Sequence, residues 1–494
     1  GFIPLFVFGC GGGKGGNNPD MTMSTSLGTA PMLAMSCGDE RADVYTLPTG
    51  LPAMDMTHRG DVFHCAITES VTAAKVNDEL NGYNTGYTDT ESGNVVSGFW
   101  TYRIAYRTLR NTPKGGGTPL EGDTAAVLVV PEKPIANAPL IVWSHGSVGI
   151  ASECAPSMLD LSGPVEDQDF PVNIYRLAGY GYTVIAPDYA GFSYGQPPGY
   201  FNAEDEAHAV LDATRAAANI LPSPPDKLVF VGHSQGGHAA LSAQSYAKSY
   251  GMQGTLIGVA AFAPLWTSMS IWAAGTTSAA GLTTANDSSS VLYTMEYAFS
   301  ASALRGDPAM GLDVFQSAKR DAVRDTLLGG MCYDTAKLQA LGATPSDFYD
   351  PDYVSNVGFN CAANPLGSDC TQAPSTPAGD APLWLSRWEE DRPALDDQSA
   401  PMLIWYGGMD TTVKPGWAEC AREKFTMDVS ATGATTMLKF CYDPNAMHRD
   451  IIRGANSDFV NQWIAARAGI GSDPTPDCMP FPSGMTCLTP PNNL

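Results

Sequence analysis

Residues 228–237 of the chain read Leu228-Val229-Phe230-Val231-Gly232-His233-Ser234-Gln235-Gly236-Gly237 and indicate its fold. Its first four side chains are apolar, as in a buried strand, and the residues that follow, up to about Tyr250, are compatible with a helix. Ser234 therefore lies on a sharp turn from strand to helix. A side chain at Gly232 or Gly236 would collide there with the neighbouring strand or helix. The pattern predicts a turn that lifts the Ser234 hydroxyl out of a sheet.

A Gly-x-Ser-x-Gly turn between a strand and a helix is typical of serine hydrolases. The backbone N–H of Gln235 would lie at the positive end of the following helix, where an oxyanion can bind. His233 precedes the nucleophile and is predicted to face the neighbouring strand. The alternative is a glycine-rich turn in an unrelated α/β protein, which would have no need of partner residues downstream.

A serine hydroxyl is a weak nucleophile at neutral pH and needs a base, which an acid must orient. In sheets of this kind the triad runs along the chain in the order serine, acid, histidine. Asp410 follows the apolar run 401–408 and is the predicted acid, with Asp443 as second choice. His448 is the only histidine after position 238 and is therefore the predicted base.

A second oxyanion donor is expected in the turn after the apolar strand 139–144. The backbone N–H of Ser147 is the first choice, followed by that of Gly146, whereas His145 and His238 are predicted to be structural. The predicted chemistry is acyl transfer, which requires neither a metal nor an organic cofactor. The N-terminal part contains four possible metal ligands, His58, Asp61, His64 and Cys65. Their spacing fits no zinc-binding pattern, so no metal site is predicted there.

Strand and helix patterns alternate over residues 96–264, which predicts an α/β fold with a doubly wound, mostly parallel sheet and an antiparallel edge. Six strands are predicted in this part, near residues 99–107, 124–130, 139–144, 182–186, 228–231 and 256–262. Residues 265–400 show no further strand and predict a large, mainly helical cap inserted after the sixth strand. The alternative for this segment is a separate domain with its own partner. The core resumes over 401–472.

The ends of the chain are predicted to lie outside this core. Residues 1–18 resemble the end of a signal peptide followed by a flexible tether, with Cys10 in the position of the lipidated cysteine of a bacterial lipoprotein. Lipidation would anchor the protein to a membrane, and a plain secretory signal is the alternative. Residues 19–95 are predicted to be an extension packed on the core, and 473–494 a proline-rich tail containing a disulfide.

The charge and the cysteines indicate the surroundings in which the protein works. A net charge of −24 argues against nucleic acid as a partner and against electrostatic docking on anionic lipid. Eleven cysteines without a Cys-x-x-Cys pair favour disulfides in an oxidising compartment, so the protein is expected to be secreted or held at an outer surface. Short separations suggest the pairs Cys361–Cys370, Cys420–Cys441 and Cys478–Cys487, and the extension is expected to be pinned through Cys37 and Cys65.

Four segments of the chain resemble the secretory lipase family of α/β-hydrolases, which includes lipases of the yeast lipase A type and bacterial lipase/esterase relatives. They are Trp143–Ser147 with Cys154-Ala155-Pro156-Ser157, Ala178–Gly191, Gly232–Gly237, and Tyr406–Val413 with His448. The resemblance implies a carboxylic-ester hydrolase with a helical cap over its site. It also implies a disulfide between Cys154 and the cap, for which Cys332 is the candidate. The N-terminal extension, the lipoprotein-like start and the number of cysteines depart from the family and leave the cap shape open.

The leading hypothesis is therefore a lipase or esterase that acts on a lipid, a small ester, or a polymeric or aromatic ester. Aromatic side chains of the predicted cap would suit acyl chains or rings: Trp266, Trp272, Tyr293, Tyr297 and Phe299. A serine peptidase of the same fold is the alternative, although the chain shows no propeller repeats. A binding protein without activity is a third class, but it would have no need of a complete triad. The sequence leaves the oligomeric state open.

Overall fold

The computed structural model describes residues 27–83, 95–112, 117–162, 169–266, 285–304, 308–329, 332, 339–354, 381–396, 399–433, 437–474 and 478–482. Nine strands of this part form one sheet. In chain order they are β1 (Val62–Val71), β2 (Phe99–Leu109), β3 (Glu121–Pro131), β4 (Leu140–Ser144), β5 (Val184–Pro187), β6 (Lys227–His233), β7 (Thr255–Phe262), β8 (Met402–Gly407) and β9 (Leu438–Asp443).

The sheet has the strand order β1-β2-β3-β5-β4-β6-β7-β8-β9. The pairs from β1 to β5 are antiparallel, and every pair from β5 through β4 to β9 is parallel. Parallel neighbours need crossover connections, which the helices supply. The predicted α/β fold with a mostly parallel sheet and an antiparallel edge is confirmed. The carboxyl ends of the parallel strands meet at one edge of the sheet, which is where such sheets place their sites.

The edge strand β1 is a feature that the sequence did not predict. It pairs with β2 from Val62 opposite Tyr106 to Val71 opposite Phe99, with two register irregularities. Most of its side chains are only half-buried, so it lacks the continuous apolar run that marks strands such as β4 and β8. Because β1 comes first, the strand predicted as the sixth is the seventh in chain order, and the long helical segment follows β7.

The helices around the sheet are α1 (Ala73–Tyr83), α2 (Asp169–Tyr180), α3 (Ala203–Ile220), α4 (Gln235–Tyr250), α9 (Pro415–Thr432) and α10 (Gly454–Ala468). The start of α3 matters for the site. The side chain of Asn202 caps α3 by accepting a hydrogen bond from the N–H of Asp205. Three acidic residues occupy the first turn, where negative charge interacts favourably with the helix dipole. Helices α3 and α4 pack against each other beside the central strands.

Between β7 and β8 the described residues form α5 (Ala285–Leu304), α6 (Pro308–Asp313), α7 (Arg320–Leu328) and α8 (Ala381–Glu390). An aromatic cluster around Tyr349 holds part of this segment together. The ring of Tyr349 contacts Phe315, Phe348 and Tyr353, and Tyr353 contacts Trp384 of α8. Buried side chains of this segment and of the sheet belong to one continuous hydrophobic core.

Three disulfides join described residues. Cys37–Cys65 ties the chain before β1 to that strand, and Cys154–Cys332 ties the turn region after β4 to the segment between β7 and β8. Both agree with the sequence analysis. The third is Cys441–Cys478, so the predicted pairs Cys420–Cys441 and Cys478–Cys487 are wrong. Cys420 is also disulfide-bonded. Cys10 and the predicted pair Cys361–Cys370 lie outside the described residues.

The corrected pairing follows from the path of the C-terminal tail. The N–H of Tyr442 on β9 donates to the carbonyl of Met479, 2.8 Å away, so the tail runs beside the last strand. Phe481 packs its ring against Tyr406, Phe440 and Tyr442. Cys478 therefore faces Cys441, which is fully buried on β9. Within the described part of the chain, no helix is both long and apolar enough to cross a bilayer.

Candidate active site

Ser234 occupies the turn between β6 and α4. Its backbone has φ 56° and ψ −118°, a conformation that non-glycine residues rarely adopt and that often marks functional sites. Its N–H donates to the carbonyl of Phe262 on β7 at 2.9 Å, and its carbonyl accepts the N–H of His238 at 3.1 Å. These bonds hold the strained turn between strand and helix, so the serine lies at the carboxyl edge of the sheet.

The glycines of the turn allow backbones to approach closely. A Cβ on Gly232 would lie 2.0 Å from the carbonyl oxygen of Gly236 in the first turn of α4. A Cβ on Gly236 would lie 1.9 Å from the carbonyl oxygen of Ser144 at the end of β4. Both distances are far below any contact that atoms tolerate, so the predicted collisions with the neighbouring helix and strand are confirmed. The turn needs glycine at both positions.

Asp410 and His448 form a hydrogen-bonded pair. Oδ2 of Asp410 lies 2.8 Å from Nδ1 of His448, and Oδ1 accepts the N–H groups of Thr412 and Val413, each at 2.8 Å. The Asp410 side chain is fully buried, whereas 15% of the His448 side chain is exposed. Because Nδ1 is bound to the carboxylate, Nε2 is the nitrogen left to exchange a proton.

Backbone contacts bring the two turns that carry this pair together. The N–H of Gly408 donates to the carbonyl of Asp443 at 2.7 Å, and that of Met409 to Ala446 at 3.0 Å. The carboxylate of Asp443, the second choice for the acid, accepts the N–H of Asn445 and the side-chain amide of Asn456. Asp443 thus shapes the turn before His448, and the acid beside the imidazole is Asp410.

His233 lies beside His448 and connects the Ser234 turn to the loop that contains His448. Its Nε2 is 2.8 Å from the carbonyl oxygen of His448, and the two ring centroids are 4.6 Å apart. The sequence predicted only that His233 faces the neighbouring strand and did not predict this contact with His448. No hydrogen bond joins the Ser234 hydroxyl to the His448 imidazole among the described residues. In unliganded hydrolases this bond is often long and shortens when substrate binds.

The candidate oxyanion donors lie at the ends of β4 and β6. Gln235 is the first residue of α4, directly after Ser234. Ser147 is held by a hydrogen bond of 2.6 Å between its hydroxyl and that of Tyr200. The ring nitrogens of His145 lie against the backbone carbonyls of Gly146 and Asp188, at 2.7 and 3.3 Å, which agrees with a structural role.

A cavity of about 240 Å³ opens beside the turn that follows β4. One wall is the chain after β4, another the Cys154–Cys332 disulfide, and Arg449 next to His448 lines it as well. The full lining is His145, Gly146, Ser147, Val148, Glu153, Cys154, Pro156, Leu159, Phe170, Cys332 and Arg449. The cavity therefore lies between the candidate oxyanion turn and the loop of the candidate base.

Sequence reasoning missed Glu206, which lies behind the Ser234 turn. It sits in the first turn of α3, fully buried, and binds the side chains of Gln235 and His238. Burial raises the pKa of its carboxyl, although His238 opposes that effect. In the sequence it is one of three consecutive acidic residues, Glu204, Asp205 and Glu206, so nothing distinguished it from a solvent-exposed helix start.

The N-terminal histidines are not gathered into a metal site. His58 pairs with Asp61 at 2.8 Å and His64 with Asp39 at 3.0 Å, while Cys65 is in a disulfide. Within the residues that the structure describes, no group of three or more histidine, cysteine or acidic side chains is arranged to hold a metal ion.

Comparisons of the sequence with known proteins found a family and a relative that are similar to part of the chain. A family model described as secretory lipase matches residues 164–285, which include the Ser234 turn. A lipase A from Moesziomyces aphidis is 29% identical over 165 residues, a match that spans 32% of this chain and about a third, 34%, of that protein.

Two solved structures illustrate the likeness of the fold. Candida antarctica lipase A in its closed state has a TM-score of 0.59 at 17% identity, covering 90% of each chain. A ligand-bound form of the rice cell wall degrading esterase LipA from Xanthomonas oryzae has a TM-score of 0.57 at 17% identity, covering 83% of this chain and 97% of that one. Over part of its length the chain is thus similar to the secretory lipases, and its fold is that of the α/β-hydrolases.

Proposed function

We propose that this protein is a serine carboxylic-ester hydrolase, a lipase or esterase, that works through an acyl-enzyme on Ser234. The observation that carries the proposal is the hydrogen bond between Asp410 and His448, in a loop that contacts the strained turn of Ser234. His238 also has a buried carboxylate on Nδ1, but its Nε2 is bound to the carbonyl of Asp391, whereas among the described residues Nε2 of His448 has no hydrogen-bond partner. The match to the secretory lipase model over the same turn supports the proposal.

The proposed reaction is a two-step acyl transfer. His448 takes the proton of the Ser234 hydroxyl through Nε2 as the oxygen attacks the ester carbonyl carbon. The N–H groups of Gln235 and of Ser147, or of Gly146, bind the oxyanion of the tetrahedral intermediate. His448 then gives the proton to the leaving alcohol. Water attacks the acyl-enzyme by the same route and releases the carboxylic acid. Asp410 orients the imidazole and stabilises its charged form.

The proposed substrates are carboxylic esters of lipids, small alcohols or polymers. The rice cell wall degrading esterase among the structural neighbours makes polymeric esters a candidate class, and the lipases among them make acylglycerols another. The disulfides and the secretory family model support an oxidising, extracytoplasmic location. A lipid on Cys10 is a further part of the proposal and concerns a residue outside the described ones.

The decisive experiment measures hydrolysis of p-nitrophenyl esters from acetate to palmitate, with a peptide aryl amide alongside, for the native protein and for Ser234→Ala. We expect ester turnover without amide cleavage, and a loss of several orders of magnitude in the variant, because a triad acts as a unit. A fluorophosphonate should label Ser234, located by peptide mass spectrometry. Absence of ester turnover, or a labelled residue elsewhere, would overturn the proposal. Preferential amide cleavage would favour the peptidase alternative.

A further inference from the structure

A chain of buried polar side chains lies directly behind the nucleophile turn. Oε1 of Glu206 accepts the side-chain amide of Gln235 at 2.8 Å and the N–H of Phe201 at 3.0 Å. Oε2 of Glu206 lies 2.7 Å from Nδ1 of His238. Glu206 and His238 are fully buried, and Gln235 is only 2% exposed. The side chain of Gln235, the residue after Ser234, is therefore hydrogen-bonded to a carboxylate of α3.

The same chain continues into the segment between β7 and β8. Nε2 of His238 lies 2.8 Å from the backbone carbonyl of Asp391, just after α8. The carboxylate of Asp391 accepts the hydroxyl of Tyr297 on α5 at 2.7 Å and the N–H of Ala203 at the start of α3 at 3.2 Å. Tyr297 and Asp391 are each 1% exposed. Five residues thus link α5 and the end of α8 to the nucleophile turn.

The partners of His238 determine how this chain holds together. Nε2 faces a carbonyl oxygen, which only accepts, so Nε2 must carry a hydrogen. The proton between Nδ1 and Glu206 completes a charge-assisted bond, and the second oxygen of Glu206 is left to accept from Gln235. Polar groups this deeply buried are costly unless every one is paired. Satisfying all of them requires the parts of the chain to hold one arrangement.

We propose that Glu206 and His238 are positioning residues for the oxyanion donor Gln235, and that Asp391 and Tyr297 make this position depend on the docking of the helical segment between β7 and β8. The inference rests on the proposed function, since Gln235 matters for rate only if its N–H binds an oxyanion. Fixing the Gln235 side chain restrains the peptide that carries this N–H. An N–H displaced by about 1 Å can cost up to 100-fold in rate.

The test uses the Tyr297→Phe variant, which removes one hydroxyl and keeps the ring. The matched control is Tyr349→Phe, because Tyr349 is an equally buried tyrosine of the same segment whose hydroxyl bonds only to Thr294 among the described residues. We expect Tyr297→Phe to lower kcat about 5- to 10-fold with KM nearly unchanged, since an interaction of the transition state alone is weakened. Tyr349→Phe should leave both constants within about 2-fold of the native values.

A double-mutant cycle identifies the path of the effect. Gln235→Leu keeps the backbone N–H but breaks the bond to Glu206, and we expect it to lower kcat by about 10-fold or more. In that background Tyr297→Phe should have almost no further effect, because both changes act on the same position. Fully additive effects, or a Tyr297→Phe variant as fast as Tyr349→Phe, would overturn the inference while leaving the hydrolase intact. A native protein without Ser234-dependent turnover would overturn both.

Discussion

Oδ2 of Asp410 lies 2.8 Å from Nδ1 of His448, across a gap of 38 residues in the chain. The turn after β8 and the loop after β9 are brought together because these strands are parallel neighbours and their carboxyl ends meet. Asp443 is closer to His448 in sequence, but it holds the turn through Asn445 and Asn456. Proximity in the sheet rather than in the sequence makes Asp410 the candidate acid.

Replacing Asp410 by Asn should therefore cost more activity than replacing Asp443. The Asp410→Asn variant keeps its shape but no longer favours the required tautomer of His448, and we expect kcat to fall by roughly 10⁴-fold. Asp443→Asn should lose about 10-fold or less, through a loosened turn. Ester hydrolysis at saturating substrate measures both. The opposite ranking would assign the acid to Asp443.

The close approach of Gly236 to Ser144 predicts a large effect of one methyl group. In Gly236→Ala the new Cβ would lie 1.9 Å from the Ser144 carbonyl oxygen, so the backbone of the Ser234 turn must move. We expect a loss of about 3 kcal/mol or more in the free energy of unfolding, measured by urea denaturation. Gly416→Ala, at a position with nothing within 4 Å, is the control and should be neutral or slightly stabilising. Equal stabilities of the two variants would contradict this close approach.

The Cys154–Cys332 disulfide closes a much longer loop than Cys37–Cys65, with separations of 178 and 28 residues. If the bonds act by restricting the unfolded chain, replacing Cys154 and Cys332 by serine should lower the free energy of unfolding by about 5 kcal/mol. Replacing Cys37 and Cys65 should lower it by about 3.5 kcal/mol. Urea denaturation of the two double-serine variants measures the difference. Greater destabilisation by the loss of Cys37–Cys65 would show that local packing, rather than loop length, controls the contribution of these bonds.

His208 should make stability sensitive to acid. The ring of His208 stacks on that of Tyr250 with 3.7 Å between the ring centroids, and its Nδ1 is hydrogen-bonded to the carbonyl of Arg110. Burial lowers the pKa of His208 from 6.5 to about 4. The folded state therefore binds fewer protons than the unfolded state in this range. The contribution of His208 to the free energy of unfolding is therefore complete above pH 6.5. It is lost as the pH falls towards 4, and the total loss is about 3 kcal/mol.

The His208→Gln variant isolates this effect, because the other titrating groups are shared with the native protein. Asp188 and Asp212 act in the opposite direction, since burial raises the pKa of each to about 6 and their contribution grows as the pH falls. Between pH 7 and 4.5 the native protein should lose roughly 2.5 kcal/mol more unfolding free energy than His208→Gln. Parallel losses in the two proteins would contradict the assignment.

Much of the fold and of the candidate site was accessible from the sequence. The apolar runs before Ser144, Ser234 and Gly407 predicted buried strands, since such strands carry a strong local pattern. The candidate nucleophile follows β6 directly, and the candidate acid and base lie in the turns shortly after β8 and β9. In a parallel sheet, residues after the carboxyl ends of neighbouring strands converge, so order along the chain was enough to propose Ser234, Asp410 and His448 together.

Tertiary structure decided the features that depend on distant parts of the chain. The strand β1 forms because β2 offers it an edge, although its own pattern is weak. Cys441 pairs with Cys478 because the tail runs along β9, which no spacing of cysteines could reveal. The link from Tyr297 through Asp391 and Glu206 to Gln235 joins residues far apart in the chain. Periodicity and turn chemistry act over a few residues, whereas the partner of a buried polar group is set by how whole elements pack.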